Sequence, residues 1–229
     1  MENDDARAEV IRFPGHRLGT IEETMAGLRG TATPEAHRRE GRVTVLEADL
    51  RGFDRVADAM GHADAERLLA AVFDHAVLAV TAFGPRAVSA SGESTGPVIS
   101  AAFEGPDHGG RALRAATALR DAVEAMRSPR LPGFQACAGI DSGDVVEASS
   151  PGIAFRSVGT VRMFAARLRE FAGPGQVFLS DESRTELAGR IQARSVGPVR
   201  TNAGGETREA FCLLETAADH ESATRALPG

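Results

Sequence analysis

One acidic residue interrupts the most strand-like run of this sequence. The run reads VLEADLRGF from Val45 to Phe53, and its apolar residues are typical of a strand in a buried sheet. Within it stands Asp49. A carboxylate in a buried strand costs free energy unless a positive group or water lies against it. The run therefore predicts that Asp49 either lies in water at a strand end or binds a metal ion or another cation.

The composition indicates a soluble globular protein and excludes several classes of function. Apolar residues make up 42% and charged residues 25% of the 229 residues, which is ordinary for one domain with a real core. The net charge of -6 provides no basic surface for nucleic acid or for an anionic membrane. Lysine is absent, so all 26 residues counted as lysine or arginine are arginines and no site in this chain can use a lysine.

The sequence predicts neither a signal peptide nor a membrane span. Its first residues, MENDDARAEVIRF, are acidic and lack the apolar stretch of a signal peptide. No window is apolar over the length that a membrane span needs. Cys137 and Cys212 stand within apolar runs, which indicates small buried residues in a reducing compartment. We therefore expect a cytoplasmic protein.

The chain is organised around one folded domain. Residues 1–17 are polar and are predicted to be disordered, and residues 18–40 contain a short amphipathic helix and a linker. Residues 41–215 form the predicted domain, and residues 216–229 a polar tail. Within the domain the patterns follow the order βα-ββ-α-ββ-α-β-α-ββ. Paired strands between helices predict an α+β fold with a mixed, mostly antiparallel sheet flanked by helices.

Two local patterns give further expectations. Core-spaced apolar residues predict one long helical region from Asp54 to Gly84. The segment GFQACAGIDSGDVVEA predicts two strands with a turn at Ser142-Gly143.

Five short motifs follow one another along the predicted domain. They read VTVLEADLRGF, GIDSGDV, VGTVRMFAARL, GPGQVFLS and GPVRTNAGG. Each resembles a motif of the class III nucleotide cyclases, the adenylate/guanylate cyclase family. The family patterns are V-x-x-F-A-D-I-x-G-F, G-I-H-T-G-x-V, G-D-x-V-N-x-A-A-R-L, P-G-Q-x-x-x-S and G-P-V-x-L-K-G. The resemblance covers roughly residues 41–215, and it implies a cyclase-like fold with a ferredoxin-like core.

The resemblance also implies an activity, a cofactor and a partner. Such enzymes convert a nucleoside triphosphate into a 3′,5′-cyclic monophosphate and pyrophosphate. Two Mg²⁺ or Mn²⁺ ions, held by two carboxylates, activate the 3′-hydroxyl and neutralise the triphosphate. Two cyclase-like chains form a homodimer or heterodimer that shares the site. Neither a nucleic acid nor a membrane is implied as a partner.

The resemblance places the first metal carboxylate at Asp49, and the second position depends on the register of a hairpin. Counted forward from Gly84, Glu93 takes the second position. Counted backward from the strand VISAAF, Pro97 takes it, and proline cannot bind metal. We favour Glu93, since hairpin tips absorb insertions.

The other family positions depart from the pattern. Met163 stands at the position of the ribose-orienting asparagine, and a thioether cannot donate a hydrogen bond. The base-reading positions hold Arg156 and Ser89, and the phosphate-binding lysine is replaced by Asn202. Arg167 alone retains its family residue, an arginine that stabilises the transition state.

Two functions follow as hypotheses. Loss of one positioned transition-state group costs about 10²–10³ in rate, so several losses together predict weak or no turnover. The favoured hypothesis is a catalytically degenerate cyclase-homology protein that binds a nucleotide, dimerises and regulates cyclic-nucleotide signalling. The alternative is an active metal-dependent nucleotidyl cyclase, working as a heterodimer whose partner supplies the missing asparagine.

Overall fold

The structure of the protein is a computed structural model. It describes residues 37–93, 96–127, 133–150, 153–157, 159–201 and 206–216. Residues 1–36, which contain the segment predicted to be disordered and the predicted short amphipathic helix, lie outside the described residues. The chain divides into a small unit of residues 1–39 and 147–155 and a large unit of residues 40–146 and 156–229. All the sites below belong to the large unit.

Eight strands and five helices make up the described part of the chain. The strands are β1 (His37–Arg51), β2 (Ala87–Glu93), β3 (Gly96–Glu104), β4 (Gln135–Ser150), β5 (Ile153–Ser157), β6 (Val177–Ser180), β7 (Ile191–Arg200) and β8 (Thr207–Thr216). The helices are α1 (Phe53–Met60), α2 (His62–Thr81), α3 (His108–Ala125), α4 (Gly159–Phe171) and α5 (Asp181–Glu186).

The strands form one mixed sheet. Its order is β2-β3-β1-β4-β6-β8-β7, with β5 paired to β4. Strand β3 pairs antiparallel with β1 and β2, β8 pairs antiparallel with β6 and β7, and β4 and β6 run parallel. The first four strands follow the ferredoxin-like order, in which β1 lies between β3 and β4. This confirms the predicted α+β fold with a mixed, mostly antiparallel sheet.

Strand β1 sends alternate side chains into two different cores. Its even residues, such as Leu46 and Ala48, join the larger core with α2 and α3. Its odd residues, such as Val45, pack with Ala165 of α4 in a smaller core on the other face. Asp49 is an odd residue, so the pleat of the strand turns it toward α4. The register of β1 therefore sets the surroundings of this carboxylate.

The long helix predicted from Asp54 to Gly84 is wrong in one respect, because the structure has two helices there. Gly61 separates α1 from α2 with φ 88°, a conformation that a continuous α-helix does not contain. The amide of Gly61 still donates to the carbonyl of Ala57 at 2.8 Å and so closes α1. Glycine at this position allows the chain to change direction between the two helices.

The turn predicted at Ser142-Gly143 is also wrong. Strand β4 continues through both residues to Ser150. Ser142 is buried, and its hydroxyl bonds that of Thr44 at 2.8 Å and that of Ser183 at 3.0 Å. These neighbours on β1 and α5 satisfy a hydroxyl that would otherwise favour a turn.

Among the described residues, no helix combines the length and the apolar character needed to cross a bilayer.

Candidate functional site

Asp49 lies near the carboxyl end of β1 as a buried carboxylate. Only 3% of the residue is exposed. Its Oδ2 accepts a hydrogen bond from Nε of Arg51 at 3.1 Å. Its Oδ1 is buried and has no hydrogen-bond partner among the described residues. The positive group that lies against this strand carboxylate is therefore a guanidinium of the same strand.

Arg51 joins Asp49 to the last turn of α4. Its Nη1 donates to the carbonyl of Ala172 and its Nη2 to the carbonyl of Arg169, both at 2.8 Å. Carbonyl groups at a helix C-terminus have no partner within the helix and carry the negative end of its dipole. The guanidinium therefore lies among three oxygen acceptors, and it fixes the end of α4 above β1.

Burial dominates the electrostatics around Asp49. It raises the pKa of Asp49, although Arg51 and, more weakly, Arg169 act to lower it. The thiol of Cys137 lies beside the same carboxylate, and burial together with that negative charge raises the pKa of Cys137 to about 11. This cysteine is therefore a neutral thiol at neutral pH and no nucleophile.

A cleft of about 1090 Å³ opens beside Asp49. Both acidic and basic side chains line it, and Phe53 and Leu69 are its apolar side chains. The charged lining residues are Asp49, Arg51, Asp54, Arg55, Glu66, Arg169 and Glu170. Gly96 of the hairpin β2–β3 also lines the cleft, and a side chain there would meet the Leu50 carbonyl at 2.7 Å. The cleft is large enough for a nucleotide-sized ligand.

The residues that the structure describes do not fit a divalent metal ion at Asp49. No cluster of three His, Cys, Asp or Glu side chains among them could hold a metal. One oxygen of Asp49 is already bonded to Arg51, and Arg169 is a second cation near the same carboxylate. A dication at this place would meet two positive charges in a buried setting.

We expect Asp49→Asn to raise the melting temperature at neutral pH, because the amide removes a buried charge and keeps an acceptor for Arg51. The pKa of Asp49 is raised in the folded state, so the native protein binds this proton more tightly than the unfolded chain. Its contribution to stability is therefore lost as pH rises through the raised pKa. The advantage of the variant should grow from about pH 4 toward neutral pH and then level off.

Thermal melts of both proteins across that pH range test this expectation. Asp58→Asn, which removes an exposed carboxylate of α1, is the control and should change little. A melting temperature that falls in Asp49→Asn at neutral pH would contradict the expectation.

Helix α4 carries two of the residues that the sequence singled out. Met163 is 54% exposed. Nη1 of Arg167 donates to Oε2 of Glu170 at 2.5 Å, and its guanidinium lies 5.7 Å from the ring centre of Phe171. Neither Met163 nor Arg167 lines the cleft beside Asp49. The structure therefore does not bring either side chain to the wall of the cleft beside Asp49.

The structure describes the remaining candidate site residues less completely. Ser89 is exposed on the edge strand β2, opposite Ser100. The backbone of Glu93 ends β2 opposite Gly96, but its side chain lies outside the described residues. The side chain of Arg156 in β5 and the whole of Asn202 also lie outside them. The second metal position stays a prediction.

The hairpin nevertheless ends beside Asp49. Val98 of β3 pairs with both Asp49 of β1 and Ser91 of β2. Neighbouring strands are about 4.8 Å apart, so the end of β2 lies roughly 10 Å from Asp49 across the sheet.

Sequence reasoning missed two further buried carboxylates. Glu47, which is 2% exposed, accepts a hydrogen bond from Nε of Arg162 at 2.9 Å. Asp141, which is 1% exposed, accepts two hydrogen bonds from Arg208, at 3.0 and 2.8 Å. Each pair joins β1 or β4 to an element far along the chain, so no local pattern indicates it. Only the position of Glu47, two residues before Asp49 on the same face of β1, was available as a signal.

Comparisons with known proteins identify the fold. Neither a protein-family model nor a curated protein matches the sequence. The adenylyl cyclase CyaB from P. aeruginosa matches the structure over 80% of this chain and 98% of its own, with a TM-score of 0.63 and 15% identity. The guanylate cyclase domain of RhGC from Catenaria anguillulae, solved with GTP, matches over 78% and 99%, with a TM-score of 0.60 and 17% identity.

A dimeric guanylyl cyclase domain of the RhoGC fusion protein from Blastocladiella emersonii gives a similar result. It matches over 78% of this chain and 99% of its own, with a TM-score of 0.60 and 16% identity. The chain therefore has the fold of the class III adenylate/guanylate cyclase catalytic domains, as the five sequence motifs implied.

Proposed function

We propose that this chain is a cyclase-homology module that binds a nucleoside triphosphate and dimerises, but does not turn the nucleotide over. Its fold supports a role in cyclic-nucleotide signalling. The cleft beside Asp49 has the volume for a nucleotide and contains three guanidinium groups that could face phosphate oxygens, from Arg51, Arg55 and Arg169.

The observation that carries this proposal is the surface of α4. The ribose position holds an exposed thioether, Met163, which can neither donate nor strongly accept a hydrogen bond. Arg167 is retained, yet its guanidinium is bonded to Glu170 of its own helix. A transition-state arginine must reach the developing charge on the phosphoryl group. At the two positions where the resemblance implies catalytic groups, helix α4 thus carries a side chain that cannot donate a hydrogen bond and an arginine whose Nη1 pairs with Glu170.

The same face of α4 supports dimerisation. Met163 and Phe171 lie two helical turns apart, and they are 54% and 55% exposed. Large apolar side chains exposed on one helix face are typical of an interaction surface. A second cyclase-like chain, either a copy of this one or a different one, is the partner we propose for this face.

We expect no cyclic nucleotide from the pure protein. The test incubates it with all four nucleoside triphosphates and excess Mn²⁺, and measures every cyclic mononucleotide by mass spectrometry. Asp49→Ala is run beside it as the control, and both proteins should give the same background. Triphosphate binding is measured separately by calorimetry, and it should persist in the absence of turnover.

The alternative is an active, metal-dependent nucleotidyl cyclase. One observation favours it, because Arg51 bonds only Oδ2 of Asp49 and leaves Oδ1 of this cleft-lining residue without an N–H or O–H partner among the described residues. Cyclic product that disappears in Asp49→Ala would establish this activity and identify the base. It would also overturn the proposal of a module without turnover.

A further inference from the structure

Arg51 lies where oxygen atoms converge. Its three donor nitrogens contact a carboxylate oxygen of Asp49 and the carbonyl oxygens of Arg169 and Ala172, at 3.1, 2.8 and 2.8 Å. Carboxylate and carbonyl oxygens are also the ligands that hard divalent cations prefer. The surroundings of this guanidinium are thus those of a cation site, and Arg51 supplies the cation.

We propose that Arg51 is a built-in counter-ion that takes the place of a divalent metal ion and excludes one from Asp49. The resemblance implies that Asp49 is a metal carboxylate, but Arg51 stands two residues later on the same face of β1. A guanidinium stays positively charged at every physiological pH, so protonation changes cannot remove it from this position. A change of pH within the physiological range therefore does not end the exclusion.

The geometry holds Arg51 in place more firmly than an arginine on the protein surface would be held. Its side chain is 30% exposed, whereas Asp49 is 3% exposed, so the pair lies at the inner wall of the cleft. Two of its hydrogen bonds are made to backbone carbonyls at the end of α4, which side-chain motion does not displace. A dication that used both oxygens of Asp49 would have to displace the hydrogen bond from Arg51 to Oδ2.

The consequence concerns the ligand of the cleft. A nucleoside triphosphate would bind with its phosphates facing guanidinium groups, without a metal ion held by Asp49. This consequence rests on the proposed function, but the exclusion of metal does not require a nucleotide to be present. The experiment below therefore contains no nucleotide, and its failure is distinguishable from a failure of nucleotide binding.

Direct Mn²⁺ titration tests the proposal, with free Mn²⁺ followed by electron paramagnetic resonance. The unchanged protein should show no Mn²⁺ site that depends on Asp49. Arg51→Ala should gain one Mn²⁺ site, because the repulsion from the guanidinium is removed. That site should bind Mn²⁺ at least about tenfold more tightly than the unchanged protein does. The gain should disappear in Arg51→Ala combined with Asp49→Asn. Arg169 acts more weakly on the same carboxylate and stays in every variant.

Arg55→Ala is the matched control. Arg55 lines the same cleft but donates to Gln135 at 3.1 Å, so its removal should create no Mn²⁺ site. Arg51→Gln is a second variant, which keeps a donor for the α4 carbonyls while removing the charge, and it should also gain Mn²⁺ binding.

Two results would overturn the proposal. One is stoichiometric Mn²⁺ binding by the unchanged protein that Asp49→Asn abolishes. The other is a folded Arg51→Ala or Arg51→Gln protein without a new site. If neither variant folds, the melting temperature of the unchanged protein decides the matter. It should be the same in Mn²⁺ and in chelator, and a rise in Mn²⁺ that requires Asp49 would refute the exclusion.

Discussion

Replacing Arg208 with methionine should lower the free energy of unfolding by about 3–5 kcal/mol, which is the usual cost of removing one partner from a buried ion pair. Arg208 on β8 donates twice to Asp141 on β4, and Asp141 is 1% exposed. Methionine preserves most of the side-chain length but offers no donor. The carboxylate would remain buried without its cation, and that uncompensated charge is the source of the loss.

The surroundings of the Arg208–Asp141 pair indicate a large loss of stability, near the upper end of the range for single substitutions. Burial raises the pKa of Asp141 even though Arg208 acts to lower it, so the carboxylate already lies in a costly place. Burial acts to lower the pKa of Arg208, but the hydrogen bonds to Asp141 and Glu182 raise it on balance. The guanidinium also lies 4.0 Å from the ring centre of Phe164, a close cation–π contact.

Urea unfolding at neutral pH measures the effect, and Arg184→Met is the control. Arg184 also pairs with an aspartate and lies over a phenylalanine, Phe211, but its partner Asp181 is 53% exposed. An exposed pair contributes roughly 0–1 kcal/mol, so the control should change little. Asp141→Asn added to Arg208→Met should recover part of the loss. A loss below about 1 kcal/mol in Arg208→Met would mean that Asp141 is not held charged in the native protein.

Local periodicity was enough to predict most of the sheet and its helices. Alternation along β1 and apolar spacing along α2 are properties of short windows, and they survive in the folded chain because each element buries one face. The two local errors have local causes. Gly61 lies inside the predicted helix but separates two helices in the structure, and Ser142-Gly143 has turn composition although the hydroxyl of Ser142 bonds that of Thr44 on β1.

Only part of the candidate site could be predicted from the sequence. Asp49 was recognised as a carboxylate that needs a cation, and Arg51 was present two residues later, on the same face of a period-two strand. Contacts between residues that are far apart in the sequence leave no such local pattern. Arg208 lies 67 residues from Asp141, and Arg51 bonds the carbonyl of Arg169 across 118 residues. These contacts depend on the strand order and on how α4 packs against the sheet, and neither can be predicted from a local sequence pattern.

The close packing of α4 against the sheet depends on one glycine, Gly139. The substitution Gly139→Ala should therefore be strongly destabilising. Gly139 lies in β4 directly beneath α4. A Cβ there would stand 2.1 Å from the carbonyl oxygen of Ala165, 2.5 Å from the amide of Arg169 and 2.8 Å from Cβ of Leu168. Two of these three atoms are helix backbone, so no side-chain rotation can relieve the clash.

The helix would have to move away from the sheet by about an ångström, which restores ordinary contact distances. Overpacking of this kind costs about 1–3 kcal/mol, and more where the backbone must move. The movement would also pull the carbonyls of Arg169 and Ala172 away from Arg51. We therefore expect Gly139→Ala to lower stability and to loosen the contact between Arg51 and Asp49 in one step.

Gly159→Ala is the control, because Gly159 begins the same helix and a Cβ there meets nothing within 4 Å. Alanine is the better helix former, so the control should be neutral or stabilised by up to about 1 kcal/mol. Urea unfolding of both variants measures the difference. Equal stability of the two would show that α4 can lift from β4 at no cost. The contacts that hold Arg51 against Asp49 would then be too weak to exclude a metal ion.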